Sequence, residues 1–103
     1  MEEKYYIGTD LKFALDISVE GGGFDQASGN YDIDIYCGSK HLHFDQSDIV
    51  QDGDDFFLCI PTKELRAGIM KMVVTAYVED DDFPEGVRRE VAVENIATLK
   101  SVL

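Results

Sequence analysis

In the stretch YDIDIYC, Tyr31 to Cys37, side chains alternate in character residue by residue. Tyr31, Ile33, Ile35 and Cys37 fall in one set, and Asp32, Asp34 and Tyr36 in the other. A helix would scatter both sets around its circumference, whereas a strand sends residues i, i+2 and i+4 to one side. The stretch is therefore predicted to be a strand with one buried face and one wet face. The same period recurs in LKFALDISV, where Leu11, Phe13, Leu15, Ile17 and Val19 alternate with Lys12, Asp16 and Ser18, and in KHLHFD, where Leu42 and Phe44 alternate with His41, His43 and Asp45. In IMKMVVTAYV, Met70, Met72, Val74, Ala76 and Val78 oppose Lys71, Val73, Thr75 and Tyr77.

Turn chemistry separates these runs. Gly38-Ser39 suits a tight hairpin between YDIDIYC and KHLHFD. Gly53 in DGDD is free to take positive φ before the strand FFLCI, which Pro61 ends because proline has no N–H to give the ladder. TKELRAG reads as one helical turn or a compact loop closed by Gly68, and GGGF, Gly21 to Phe24, as a flexible connection. The run VRREVAVENIATLKSV is rich in β-branched residues, but its parity slips near Glu94 and Asn95, which predicts a bulge or break there. No window carries an apolar stripe at helical spacing. One domain over residues 1–103 is expected, an all-β antiparallel sandwich of immunoglobulin-like type with about seven strands. A small β-barrel is the alternative.

At 103 residues the chain buries enough surface to fold without disulfides or a structural metal. Cys37 and Cys59 both lie in apolar runs and are expected to be small core residues. The formal charge of −12 repels phosphate backbones, so nucleic acid is not an expected partner. No segment approaches the roughly 20 apolar residues of a membrane helix, and MEEKYYIG has no signal-peptide pattern. Neither a membrane location nor a cofactor is expected, and the chain is read as cytoplasmic on synthesis.

Chemistry-bearing clusters are few. On one strand, His41, His43 and Asp45 project to the same side and form a weak candidate for zinc or iron. Asp52, Asp54 and Asp55 in DGDD are a weak calcium candidate, and NYDID fails the EF-hand pattern because Ile35 and His41 stand where glycine and glutamate belong. No flanking signature marks Cys37 or Cys59 as a nucleophile, GGGF does not precede a helix, and the reading is non-enzymatic. Tyr5, Tyr6, Tyr36 and Tyr77 carry more weight, since exposed tyrosines on a sheet favour protein contacts. VEDDDFPEGVRREV, Val78 to Val91, places Pro84 and Gly86 as a type I turn prefers and brings Arg88 and Arg89 back beside Glu79 to Asp82. Arginines so close compete with a cation for those carboxylates. Tyr36, Tyr77, Asp82, Phe83, Arg88 and Arg89 are the interface candidates.

From Asp54 onward an apolar strand ends in threonine, a short Leu-x-x-Gly connector follows, and a long strand leads through an acidic hairpin to a return strand. This order, with GTDLKFALDI before it, resembles the small β-sandwich domains of phage and prophage tail and baseplate proteins, of the type at the N-terminus of baseplate upper proteins. The resemblance implies an assembly or adaptor module whose partners are neighbouring tail or baseplate subunits or further copies of itself, located in the virion. Two other readings compete: an acidic inhibitor mimicking nucleic acid, suggested by charge and small size, and a calcium-stabilised adhesion module.

Overall fold

The computed structural model describes residues 3–20 and 22–102, so Gly21 of the GGGF stretch lies outside the described residues. Among these residues there are eight strands: β1 Glu3–Tyr6, β2 Asp10–Ala14, β3 Asn30–Cys37, β4 Lys40–Asp45, β5 Val50–Asp52, β6 Asp55–Pro61, β7 Gly68–Glu79 and β8 Val87–Lys100. Short 3₁₀ turns at Gln46–Asp48 and Thr62–Glu64 are the only helical segments among the described residues, and no helix is long and apolar enough to cross a membrane. The strands form one sheet in the order β1-β8-β7-β3-β4 and a second in the order β2-β6-β5. This is a sandwich rather than a closed barrel. In immunoglobulin lettering the smaller sheet is B-E-D and the larger G-F-C-C′, with the first strand running parallel to G.

β3 sits inside the larger sheet between β7 and β4, and its alternation is observed residue for residue. Tyr31, Ile33, Ile35 and Cys37 are all buried, while Asp32, Asp34 and Tyr36 face outward. They meet Leu11, Leu58, Ile60, Met70, Val74 and Leu99 in one core. Truncating a side chain such as Ile35 to alanine costs about 2–5 kcal/mol, a large share of the roughly 5–15 kcal/mol that holds a domain together. No disulfide spans the core: Cys37 and Cys59 are both free. Cys37 is buried as expected, and desolvation pushes its thiol pKa up. Cys59 is not a core residue; it lies between Leu58 and Ile60, which are buried, and so faces solvent.

The parity slip is a bulge. Met70 pairs with Ala97 and the next β7 residue, Lys71, with Asn95, so Ile96 is the extra residue of β8. Odd-numbered residues of β8 face outward up to Asn95 and inward from Ala97. β1 begins pairing at Ala97, so the bulge marks where its cover begins.

β2 ends earlier than its alternation suggests, at Ala14 rather than Val19. Its partner β6 begins at Asp55, and the backbone bonding between the two ends with the bond from Leu15 N to Phe56 O. The Gln26 side chain takes over that role: its Oε1 accepts from Ile17 N at 2.9 Å and its Nε2 donates to Leu15 O at 3.0 Å. The loop leading to β3 closes at Gly29, where a Cβ would stand 2.6 Å from the Phe24 ring and 2.7 Å from Asp25 O.

Thr62 is the one buried polar residue among the described core positions, and its hydroxyl pins the β6–β7 connection to the β1–β2 loop. Oγ1 accepts from Gly8 N at 2.9 Å and donates to Thr9 O at 2.6 Å. Thr62→Val keeps the shape but leaves both backbone groups unpaired, and is expected to cost about 1–3 kcal/mol. Each kcal/mol lowers Tm by roughly 4–8 °C in a domain of this size. A calorimetric melt unchanged within a degree would show that water replaces the hydroxyl.

Candidate functional site

The outward face of the larger sheet holds most of the residues singled out from the sequence. The two-residue turn at Gly38-Ser39 sets Tyr36 opposite His41, Asp34 opposite His43 and Asp32 opposite Asp45. Gly38 supplies the turn at φ +62°, where a side chain would also strike Arg66 Cβ at 2.7 Å.

The histidines converge on Asp34 rather than on Asp45. His41 Nε2 lies 2.7 Å and His43 Nδ1 2.8 Å from the same oxygen, Asp34 Oδ1. Asp45 ends β4 and turns to cap the following 3₁₀ turn, accepting from the Ser47 amide and hydroxyl. The expected His41, His43 and Asp45 set is therefore not assembled. Among the described residues no group of three or more His, Cys, Asp or Glu is arranged to hold a metal ion, which covers Asp52, Asp54 and Asp55 as well. Those three flank the β5–β6 turn, where Asp52 pairs with Asp55 across Gly53.

The network extends across three strands. Tyr77 OH donates to Asp32 Oδ2 at 2.6 Å, and His43 Nε2 lies 3.8 Å from Asp32 Oδ1. The His41 ring stacks on Tyr36 at 4.5 Å between centroids and 9° between planes. Burial works to raise the Asp34 carboxyl, but the hydrogen bonds and charges of His43 and His41 outweigh it and hold the group below the usual carboxylate range. The hydrogen bond to Asp34 raises His43 above the ordinary imidazole value. The bond to Asp32 raises the Tyr77 phenol.

The acidic hairpin forms with its tip closed by Asp80 N to Gly86 O at 2.9 Å, and Gly86 N to Phe83 O at 2.9 Å is the expected turn. Arg88 donates to Asp80 at 2.9 Å and to Glu90 at 3.1 Å, and Arg89 reaches Glu85 at 3.4 Å. The Arg89 guanidinium also covers the Tyr77 ring at 5.6 Å. Tyr77 is thus half-buried and hydrogen-bonded, and offers less free surface than its position suggests. Tyr36 and Phe83 remain exposed, and Asp82 lies in the tip, its amide donating to Asp80 Oδ1.

Residues that sequence reasoning passed over complete the face. Ile69, Val91 and Val93 are 54%, 61% and 57% exposed, more than half their surface in each case, although they are aliphatic. With Tyr36, Lys71 and Val73, Ile69 and Val93 line a shallow, open concavity on β3, β7 and β8, and Val91 lies two residues before Val93 on the same face of β8. The face is therefore divided: aliphatic over β7 and β8, ionic over β3 and β4. Chemically it is suited to contact, having both desolvatable area and oriented charge.

Fold and face together define an immunoglobulin-like all-β sandwich with an open, mixed apolar and ionic sheet face. No family model matches the chain, and no curated protein or solved structure matches it at a significant level.

The signs of the two shifts fix a pH dependence. The raised His43 contributes stability below the ordinary imidazole value and loses it as pH rises through its folded pKa. The lowered Asp34 contributes above the usual carboxylate value and loses it as pH falls through its own. Both are present together at mildly acidic pH, between about 4 and 6.5. Asp34→Asn is expected to lower Tm more at mildly acidic than at alkaline pH and to move the His43 titration downward, toward the ordinary imidazole value, in an NMR pH series. A wild-type His43 that already titrates at the ordinary value would contradict the geometry.

Proposed function

We propose that this protein is a non-enzymatic assembly or adaptor module that works through protein–protein contacts on the outward face of the larger sheet. The observation that carries the proposal is the aliphatic strip of Ile69, Val73, Val91 and Val93, continued by Tyr36, on a face that two covered layers do not need. Burying such area is worth roughly 25 cal/mol per Å², and a flat sheet with aromatic and aliphatic side chains presents it without reorganisation. The flanking Asp32, Asp34, His41 and His43 orient a partner by charge rather than add much affinity.

The resemblance of Asp54–Val91 to tail and baseplate sandwich domains gives the proposal its setting: a phage or prophage particle, with neighbouring tail or baseplate subunits as partners. The acidic-mimic reading draws less support, because Asp32, Asp34, Asp80, Glu85 and Glu90 already face histidine, tyrosine or arginine partners within the chain.

Co-expression with the proteins encoded on either side, followed by affinity purification, is expected to recover a stoichiometric complex. Ile69→Asp together with Tyr36→Ala is expected to weaken it about tenfold or more while leaving the circular dichroism spectrum intact. Recovery of no neighbour, or a complex indifferent to both substitutions, sinks the reading, and neighbours unrelated to tails or baseplates remove its phage setting.

A further inference from the structure

We propose that the open edge of β8, Val87–Asn95, pairs antiparallel with the same edge of a second copy, joining two larger sheets into one continuous sheet. The inference rests on the interaction-module reading above and names one partner for it.

β8 pairs with β7 along its length, but β1 covers its other edge only from Ala97 to Lys100. Among the described residues, Val87–Asn95 therefore has a sheet neighbour on one side alone. Val91 to Asn95 are all exposed, including Ala92 and Glu94, which face the smaller sheet. That sheet has three strands, and β8 runs beyond its cover. Backbone groups along such an edge are a template for another strand.

The remaining edges carry the usual protections. β1 has four residues and includes Lys4, β5 has three residues, β4 begins with Lys40 and bears two histidines, and β2 has five residues with Lys12 at its centre. Between Val87 and Asn95 there is no lysine or proline, and the bulge lies beyond the stretch, at Ile96. The centre, Val91-Ala92-Val93, is wholly apolar.

Charge selects the register. Centring the pair on Val91 uses the whole open stretch and sets Val87 against Asn95 of the second copy. It likewise sets Arg88 against Glu94, Arg89 against Val93, Glu90 against Ala92 and Val91 against itself. Opposite charges then meet twice, once on each side of the two-fold axis. A guanidinium has five N–H donors, and the Asp80 and Glu90 bonds of Arg88 use Nη1 and Nε, leaving donors for Glu94. Centring on Ala92 instead sets Glu90 against Glu94, and centring on Glu90 or Glu94 sets like carboxylates against themselves. Centring on Val93 drives the strands into the bulge and β1. The charge of −12 on each copy opposes association, so pairing is to be measured near 0.15 M salt, where the Debye length is about 8 Å.

Directly opposed antiparallel residues have Cα atoms about 4.5–5.5 Å apart, within the range a disulfide spans. With Cys59→Ser as background, Val91→Cys is therefore expected to form an intermolecular disulfide under mild oxidation, and Val93→Cys is not. Sedimentation from micromolar to millimolar protein is expected to show a monomer–dimer equilibrium that Val91→Lys weakens about tenfold. Monomer throughout, or cross-linking at Val93 in preference to Val91, overturns the proposal. The two ideas fail separately: a strict monomer that still binds its neighbours through Ile69 and Tyr36 retains the adaptor reading and loses only this one.

Discussion

A strand between two neighbours must give every second side chain to one face, and β3 obeys that constraint for all of its length. Because Tyr31, Ile33, Ile35 and Cys37 are committed inward, Asp32, Asp34 and Tyr36 have nowhere to go but outward. Two-sided pairing with β7 and β4 then fixes what each of these meets, and a one-residue slip would put three polar side chains into the core. The core and the ionic half of the contact face are thus two consequences of one alternation.

Much of this was legible from local pattern. The Gly38-Ser39 turn determines a register in which paired residue numbers sum to a constant, so the meeting of Asp34 with His43 and of Tyr36 with His41 follows from the turn alone. Treating His41, His43 and Asp45 as a set along one strand missed this, because cross-strand neighbours are closer than the i, i+4 pair within a strand. The bulge was readable as a change of parity, and Cys59 is exposed by the same rule that buries Leu58 and Ile60. What local pattern could not supply is non-local. β1 has no alternation of its own and exists through parallel pairing with the far end of the chain, and so it was missing from the expected set of strands. The end of β2 is set by where β6 begins.

Exposure of Ala92 and Glu94 is of the same non-local kind: they face the smaller sheet, but that sheet has three strands against five and does not shade this part of the long β7–β8 ladder. Val91 and Val93 point the other way, to the outer face, so their exposure follows from strand parity although their side chains look like core material. The molecule is correspondingly elongated, 52 Å by 30 Å by 25 Å. Alternation along β7 and β8 places aliphatic area on the outer face without spoiling the core, and the mismatch between sheets adds the bared inner side of the β8 edge.

Charge bears on this surface in two opposed ways. Over distances beyond the Debye length the carboxylate excess acts as a nearly uniform repulsion, which discourages indiscriminate strand addition at an apolar edge. At contact distance the pattern matters instead, and Arg88, Arg89, Glu90 and Glu94 bracket Val91-Ala92-Val93 with an asymmetry that distinguishes one register from its neighbours. An apolar edge with neither feature would recruit any exposed strand. With both, the general charge lowers the rate of all encounters, while the local charges lower the energy of a particular one, and selectivity is the difference between the two.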